Sequence, residues 1–357
     1  MTMTADPSSF DYTLPPERIA QWPAGASGSR SDSKLLVASS SGSALTLSDS
    51  HVRDIRQFLR PGDLLVFNDS GVIPARFFVD AEGRTVEIFL LALPADETET
   101  EVEVLARPMD KLREGKTVVL SDGLFADVLG RTTDRSRLRL RLRSSSQATV
   151  RELVASAGIM PIPPYIRGGR GELRDRELYQ CVFSQEPGSV AAPTAGLHFT
   201  PELLAELEQS GVSLGMVTLH VGSASFRPAQ MQDPKLERGE TEWYRVSIEL
   251  AEKIAQTKSA GGRVVAIGTT TVRALESAAL SSMSGGLAAT DLMIKPGHVF
   301  QTVDVMFTNF HQPGSTHLLL VSAFFGASNM ARVYQHALDN AYRFLSYGDA
   351  QLLVREE

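Results

Sequence analysis

GRVVAIGTTTVRALESAAL, residues 262–280, decides the fold. Val264 to Ile267 form an unbroken apolar run, Gly268 follows, and a threonine run opens a segment with helical spacing. A short apolar run without polar alternation predicts a strand buried on both faces. The helix that follows at once covers one face, and strand, turn and helix together are the repeating unit of α/β layers. The threonine run has two readings. Thr269, Thr270 and Thr271 are N-capping residues, and they also set hydroxyls beside free backbone N–H groups, a place suited to a carboxylate or phosphate. No Walker loop and no G-x-G-x-x-G fingerprint accompanies them.

The same alternation continues outward. PELLAELEQSG (201–211) reads as a helix, VSLGMVTLHVG (212–222) as a strand, and ELAEKIAQTKSAGG (249–262) as a helix with a glycine stop. HVFQTVDVMFTNF (298–310) reads as extended, and the remainder as largely helical. Toward the N-terminus, KLLVAS (34–39) is a short strand, SDSHVRDIRQFL (48–59) a short helix capped by Ser48 or Ser50, and PGDLLVFNDSGVIPARFF (61–78) a strand, a polar turn and an extended continuation. Residues 80–150 change character: RTVEIFLLAL, EVEVLARP, KTVVLSD, LFADVLG and RSRLRLRLR are short runs punctuated by Gly, Asp and Pro. Strands at that spacing predict a small barrel or sandwich. The expectation is an α/β domain interrupted by a β-rich module.

Bulk properties narrow the function classes. The 357 residues include one cysteine, Cys181, which excludes an internal disulfide framework and fits a reducing compartment. No stretch approaches the ~18 apolar residues of a membrane helix. The opening MTMTADPSSFDYTLPPERIAQ lacks the pattern of a signal peptide, so cytoplasm is the expected location, with no membrane partner. The net charge of −7 argues against wholesale electrostatic coating of nucleic acid while leaving room for a local basic face.

Three loops carry candidate acid–base groups. SVAAPTAGLHFT (189–200) is a small-residue loop with His198, directly ahead of a helix start at Thr200 and Pro201. VTLHVG sets His220 near the carboxyl end of a strand, where ligands bind in open α/β sheets. TNFHQPGST sets Asn309 and His311 before a turn and a helix cap. Each histidine has a plain reading as a packed, hydrogen-bonded residue; three in such places form a constellation. RSRLRLRLR places Arg135, Arg137, Arg139, Arg141 and Arg143 on one face of a strand, either paired with the acidic DETETEVEV run (96–104) or free to meet phosphate. A second basic cluster, YIRGGRGELRDRELY (165–179), reads as a surface loop and helix start. NAYRFLSYGDAQL (340–352) contributes Tyr347 and Asp349. No zinc spacing and no G-x-S-x-G elbow occurs, so no metal is expected.

The strings themselves add a resemblance. DYTLPPERIAQ, PGDLLVFNDSGVIPAR, MPIPPYI, ELYQCVFS, GSVAAPTAGLHFT, VTLHVG, AIGTTTVRALESAA, TNFHQPGSTHLLLVSAFFG and YRFLSYGDAQL follow one another from residue 11 to 352. In these the chain resembles the S-adenosylmethionine:tRNA ribosyltransferase-isomerase (QueA) family of the queuosine pathway. The resemblance implies a mixed-sheet α/β main domain (1–75 and 151–357) with an inserted small β-barrel domain (76–150). It implies transfer and isomerisation of the ribosyl part of S-adenosylmethionine onto 7-aminomethyl-7-deazaguanine at the tRNA wobble position, giving epoxyqueuosine with loss of adenine and methionine. S-adenosylmethionine is then a co-substrate, no prosthetic group is needed, and the expected state is a monomer.

It further implies site residues: His198, His220 and His311 for proton transfer; Thr269, Thr270, Thr271 and Arg273 for the methionine carboxylate; Asp349 for an amine. Asn68, Asp69 and Arg76 serve as pocket wall, with Thr194, Gly196, Asn309 and Tyr347 around the ligand. Arg135, Arg137, Arg139, Arg141 and Arg143 would meet tRNA. The chain departs from the family pattern at Gly71, where an arginine is usual, at Ala224-Ser225-Phe226, at Lys295-Pro296-Gly297 and at Gln312. In ERGETE, Glu237 and Glu240 replace histidines and Glu242 fits. The two glutamates make that one loop favour cations over phosphate. Two alternatives stay open: a relative acting on a small nucleobase or nucleoside, and a non-catalytic tRNA-binding protein.

Overall fold

A computed structural model describes residues 10–24, 28–42, 44–222, 241–281, 283 and 285–356. Ala224, Ser225, Phe226, Glu237 and Glu240 lie outside the described residues.

A nine-stranded mixed sheet forms the main body. Its strands run in the order Gly286–Thr290, Glu242–Val246, Ser213–Leu219, Leu64–Asn68, Val264–Ile267, Val305–Asn309, Ala350–Glu356, Lys34–Ser41 and Ala44–His51. The four strands Ser213–Leu219, Leu64–Asn68, Val264–Ile267 and Val305–Asn309 are mutually parallel, so their carboxyl ends share one edge. Period-two alternation divides their side chains between two cores. Leu64, Val66, Val264 and Ala266 belong to one apolar cluster, and Leu65, Phe67, Val265 and Ile267 to the other. All eight are buried, which is why these strands read as continuous apolar runs.

Helices cover both faces and start where their caps dictate. The Thr200 hydroxyl accepts from Leu203 N at 3.2 Å ahead of Pro201–Gln209, Ser247 from Leu250 N at 3.1 Å, and Ser315 from Leu318 N at 3.2 Å. The helix Thr269–Leu280 follows Gly268, whose φ of +91° turns the chain directly from strand to helix.

The second unit is a six-stranded antiparallel sheet ordered Arg76–Ala81, Arg84–Leu90, Glu99–Arg107, Leu138–Ser144, Leu124–Arg131 and Thr117–Ser121. Its edge strands Arg76–Ala81 and Thr117–Ser121 approach each other, so it is barrel-like and nearly closed. Its apolar cluster runs from Ile73 to Val154 and includes Val190. The helix Val150–Ala157 therefore packs with the insert through Val150 and Val154.

Three expectations need correction. Residues 48–51 are not helical: Ala44–His51 pairs antiparallel with Lys34–Ser41 from Ser41↔Ala44 to Lys34↔His51, and the following Val52–Phe58 is a 3₁₀ segment. Cross-strand hydrogen bonds at a solvent-facing edge override the capping signal of Ser48 and Ser50. The C-terminus is not helical throughout either. Ala350–Glu356 is a strand, antiparallel to Val305–Asn309 and parallel to Lys34–Ser41. A short apolar run such as LLV has no period that separates helix from strand. Finally, Arg135 and Arg137 are not on the arginine strand. Arg135 sits in the preceding turn at φ +58°, Arg137 directly precedes the strand, and the strand begins at Leu138.

Candidate active site

The carboxyl edge of the four parallel strands gathers the candidate residues. His220 follows Leu219, Asn68 ends its strand, Thr269 opens a helix after Ile267, and Asn309 and His311 finish the fourth. Three strand spacings separate the His220 strand from the Asn309 strand, about 14 Å. That span matches an extended small ligand lying across the edge.

His198 is buried at one end of it. The loop Thr194–His198 folds as a 3₁₀ turn and brings Thr194 and His198 against Asn309. The Asn309 amide is oriented by its neighbours: Nδ2 donates to Leu345 O at 3.2 Å, and Oδ1 accepts from the Thr194 hydroxyl at 2.9 Å. The second Nδ2 proton then points at His198 Nε2, 3.1 Å away. Nε2 must accept, so the ring carries its proton on Nδ1. Burial, and then the charge of Arg343, push the His198 pKa down to about 3. Proximity to a helix start predicts the same direction, but burial is the dominant cause.

Gly196 has a packing reason to be glycine. A Cβ there would stand 2.6 Å from Phe183 Cζ and 2.8 Å from Cys181 Sγ. Its bareness admits these core side chains. Burial also drives the Cys181 thiol up to about 12, so it stays protonated.

Asn68 is a clasp between strands. Its Oδ1 accepts from Leu219 N at 3.0 Å and Ser70 N at 3.1 Å, and its Nδ2 donates to Leu219 O at 3.0 Å and toward Thr270 Oγ1 at 3.3 Å. Thr271 Oγ1 donates back to Ile267 O at 2.7 Å. Thr269 is buried in the same first helical turn.

Next to Asn68, Asp69 accepts from the Thr218 hydroxyl at 2.7 Å. Its pKa is raised, chiefly by burial, with the Thr218 hydrogen bond opposing and Glu186 adding repulsion. Arg245 donates to Glu186 at 2.6 Å and lies 3.5 Å from Thr218 Oγ1. These groups surround His220, whose pKa burial lowers while the Glu186 and Asp69 carboxylates oppose the shift. Its Nδ1 is buried without a hydrogen-bond partner.

His311 meets Thr308 Oγ1 at 3.0 Å and stacks on His317, with ring centroids 5.3 Å apart and planes at 20°. Burial and the His317 ring hold the His311 pKa well below the ordinary value, and burial with Arg273 brings His317 to about 4. All three expected histidines are thus neutral at pH 7.

The remaining expected residues are held by the protein itself. Arg273 is engaged on every side by Glu242, Leu292 O and Thr290 O, and Glu242 also accepts from Gly222 N at 2.9 Å. Arg76 is buried at the junction of the two units, bonded to Gly169 O and paired with Glu87 at 2.9 Å. Asp349 accepts from the backbone N–H of Arg343 at 2.7 Å and of Lys34 at 3.0 Å. Tyr347 donates to the fully buried Asp175 at 3.0 Å, whose two carboxylate oxygens also accept from the single nitrogen Nη2 of Arg167 at 2.7 and 2.6 Å. Asp175 and His317 were not singled out in the sequence. An acidic residue amid the arginines of YIRGGRGELRDRELY was the available signal for the first.

The arginine stripe is a charge ladder. Arg137 pairs with Glu103 at 3.0 Å, Arg139 with Glu101 at 2.9 Å, Arg141 with Glu101 at 3.1 Å, and Arg143 with Asp127 at 2.6 Å. Among the described residues no group of three or more His, Cys, Asp or Glu is placed to hold a metal ion. Nor is any of their helices long and apolar enough to cross a membrane.

Comparison with known proteins gives a single family. The family described as queuosine biosynthesis protein matches residues 7–353. An S-adenosylmethionine:tRNA ribosyltransferase-isomerase of Ruegeria pomeroyi is 44% identical over 97% of this chain and 99% of its own. One of Azoarcus sp. is 43% identical over 99% of each. The crystal structure of an S-adenosylmethionine tRNA ribosyltransferase from Thermotoga maritima superposes with a TM-score of 0.53 at 34% identity, over 97% of this chain and 99% of that one.

Proposed function

This chain belongs to the queuosine biosynthesis family, and we propose that it transfers and isomerises the ribosyl moiety of S-adenosylmethionine onto 7-aminomethyl-7-deazaguanine at the tRNA wobble position, giving epoxyqueuosine, adenine and methionine. The observation that carries this reading is similarity along the whole chain to relatives that bear this one activity in their names. A small-molecule acceptor and a non-catalytic binding role have no such support. The reaction needs S-adenosylmethionine as co-substrate and no prosthetic group, because the sulfonium itself acidifies the neighbouring 5′ hydrogens. One chain brings the site residues to a single edge, which suits a monomer in the cytoplasm. The domain division 1–75, 76–150 and 151–357 belongs to the same reading.

The neutral imidazoles suit base chemistry rather than resident acid chemistry. His198 has Nε2 committed to Asn309, which leaves Nδ1–H to donate to a ligand atom. His220 has no hydrogen bond from its ring among the described residues, so it is the one free to take a proton, either from the 5′ carbon or from the attacking amine. His311, held by Thr308, flanks the far end. Asn68, Asp69, Thr194, Gly196 and Thr269–Thr271 form the floor and walls between them. Arg76, Arg273, Asn309, Tyr347 and Asp349 support that edge from within. Arg135 and the stripe Arg137–Arg143 would reach tRNA, the stripe by exchanging its glutamate and aspartate partners for phosphate, which makes that contact salt-dependent.

The test is adenine release, quantified by mass spectrometry, from S-adenosylmethionine with an anticodon stem-loop carrying or lacking the aminomethyl base. Release that requires the modified stem-loop and fails in His198→Ala supports the proposal. Release without the stem-loop overturns it.

A further inference from the structure

His198 is oriented by Asn309, and His311 is met by Thr308. His220 has no comparable holder, for its Nδ1 is buried and unpartnered. What fixes the ring is contact with the segment Glu186–Ser189. A Cβ built at Gly188 would stand 2.8 Å from both Cε1 and Nδ1 of His220 and 3.2 Å from Nε2. Three ring atoms at nearly equal distance mean that the imidazole lies flat over the bare Cα.

We propose that Gly188 is a positioning residue for His220, its missing side chain forming the seat on which the imidazole rests. This rests on the reading of His220 as the reaction's base. Neither backbone can retreat to admit a side chain. Glu186–Ser189 runs parallel to Ser70–Val72, with a register irregularity between Pro187 and Ser189 that leaves Gly188 as the extra residue. The N–H groups of Gln185 and Glu186 donate to Asp69 O at 2.9 and 3.2 Å, and Ile73 N donates to Ser189 O at 2.9 Å. Ser189 Oγ accepts from Val221 N at 3.0 Å and donates to Ser70 Oγ at 2.9 Å. On the other side, His220 N donates to Trp243 O at 3.2 Å. Any atom added at Gly188 must therefore displace the ring, toward or away from Asp69, Glu186 and Arg245, the charged groups that face it.

The experiment is Gly188→Ala in the full chain, read first by NMR of isotope-labelled histidine with no substrate present. The His220 ring resonances should move and its titration midpoint should shift, with the His198 resonances unchanged. In the adenine-release assay kcat should fall about 100-fold. The same change in a His220→Ala background should cost less than about twofold. Alanine at the Gly188 φ of +156° carries a backbone cost of its own, but that cost is present in both backgrounds and cancels in the cycle. If Gly188→Ala alone does not fold, the double variant should, because the clashing ring is gone. Unmoved His220 resonances, equal losses in both backgrounds, or a double variant that also fails to fold would each overturn the proposal. Full activity of His220→Ala would remove the base assignment, and the ring resonances would still decide where Gly188 puts the imidazole.

Discussion

Acidification from pH 7 to pH 5 should cost this fold about 2 kcal/mol through His198 alone. The ring is buried and its pKa is lowered from 6.5 to about 3, mostly because burial penalises the imidazolium. In the unfolded chain the same ring takes a proton near pH 6.5. Between these values the unfolded state binds a proton that the folded state refuses, so stability falls with pH. Above pH 6.5 both states are neutral and nothing is lost. At 1.36 kcal/mol per unit, the 1.5 units between pH 6.5 and pH 5 give about 2 kcal/mol, and the loss saturates near pH 3 at about 5 kcal/mol. The perturbation that isolates this ring is His198→Gln. Its side-chain oxygen can accept from Asn309 Nδ2 as the imidazole nitrogen does, and it does not titrate. Urea unfolding at pH 7, 6 and 5 should give wild-type and variant curves that converge as pH falls, by about 2 kcal/mol at pH 5. His311 and His317, lowered for the same cause, keep titrating in both proteins and cancel in the comparison. Parallel pH dependences would show that His198 is not buried in its neutral form, and the argument for an Nδ1–H donor would fall with it.

Three further outcomes follow from the packing. Asp175→Asn leaves the Arg167 guanidinium without its buried counter-charge and sets an amide NH2 against Nη2, which should cost about 3 kcal/mol by urea unfolding, whereas a loss under about 0.5 kcal/mol would show that the pair is solvated. Gly196→Ala drives a methyl into Phe183 and Cys181 and should destabilise by about 1–3 kcal/mol in thermal unfolding, with an unchanged melting temperature counting against that reading. Arg139→Ser with Arg141→Ser should leave the melting temperature essentially unchanged, because exposed ion pairs contribute little. It should also weaken anticodon stem-loop binding at low salt and lower the salt slope, measured by fluorescence anisotropy. An unchanged slope would take the stripe out of the tRNA contact.

The α/β body was legible because its central strands are buried on both faces. VVAI and LLVF have no polar residue to interrupt them, and only a covered sheet accepts such runs. The insert was legible from short alternating strands such as LRLRLR, whose leucines face one core while the arginines face out. The edge hairpin ending at His51 was not, because the capping signals of Ser48 and Ser50 sit within a strand that pairs with its own neighbour Lys34–Ser41. The C-terminal strand Ala350–Glu356 was not either, because its hydrogen-bond partners Lys34–Ser41 and Val305–Asn309 come from far along the chain.

For the site, local sequence determined residue types and loop positions: three histidines, each beside a strand end or a helix start, in strings that resemble one family. It did not determine which polar groups are free. Arg273 and Asp349 look available for a ligand in the sequence, yet tertiary contacts engage the first with Glu242 and carbonyls and the second with backbone N–H groups. His198 looked like a general neutral base. Asn309, 111 residues away, assigns its tautomer through a network that includes Thr194 and Leu345. Gly188 stood only at the head of the string GSVAAPTAGLHFT, and nothing local gave its role, since its significance is a ring from residue 220 lying on it. The sequence by itself set the chemistry on offer, through residue identity and local spacing. The tertiary structure decided which of those groups keep a lone pair or proton for a substrate, because hydrogen-bond satisfaction and desolvation depend on neighbours that only folding brings together.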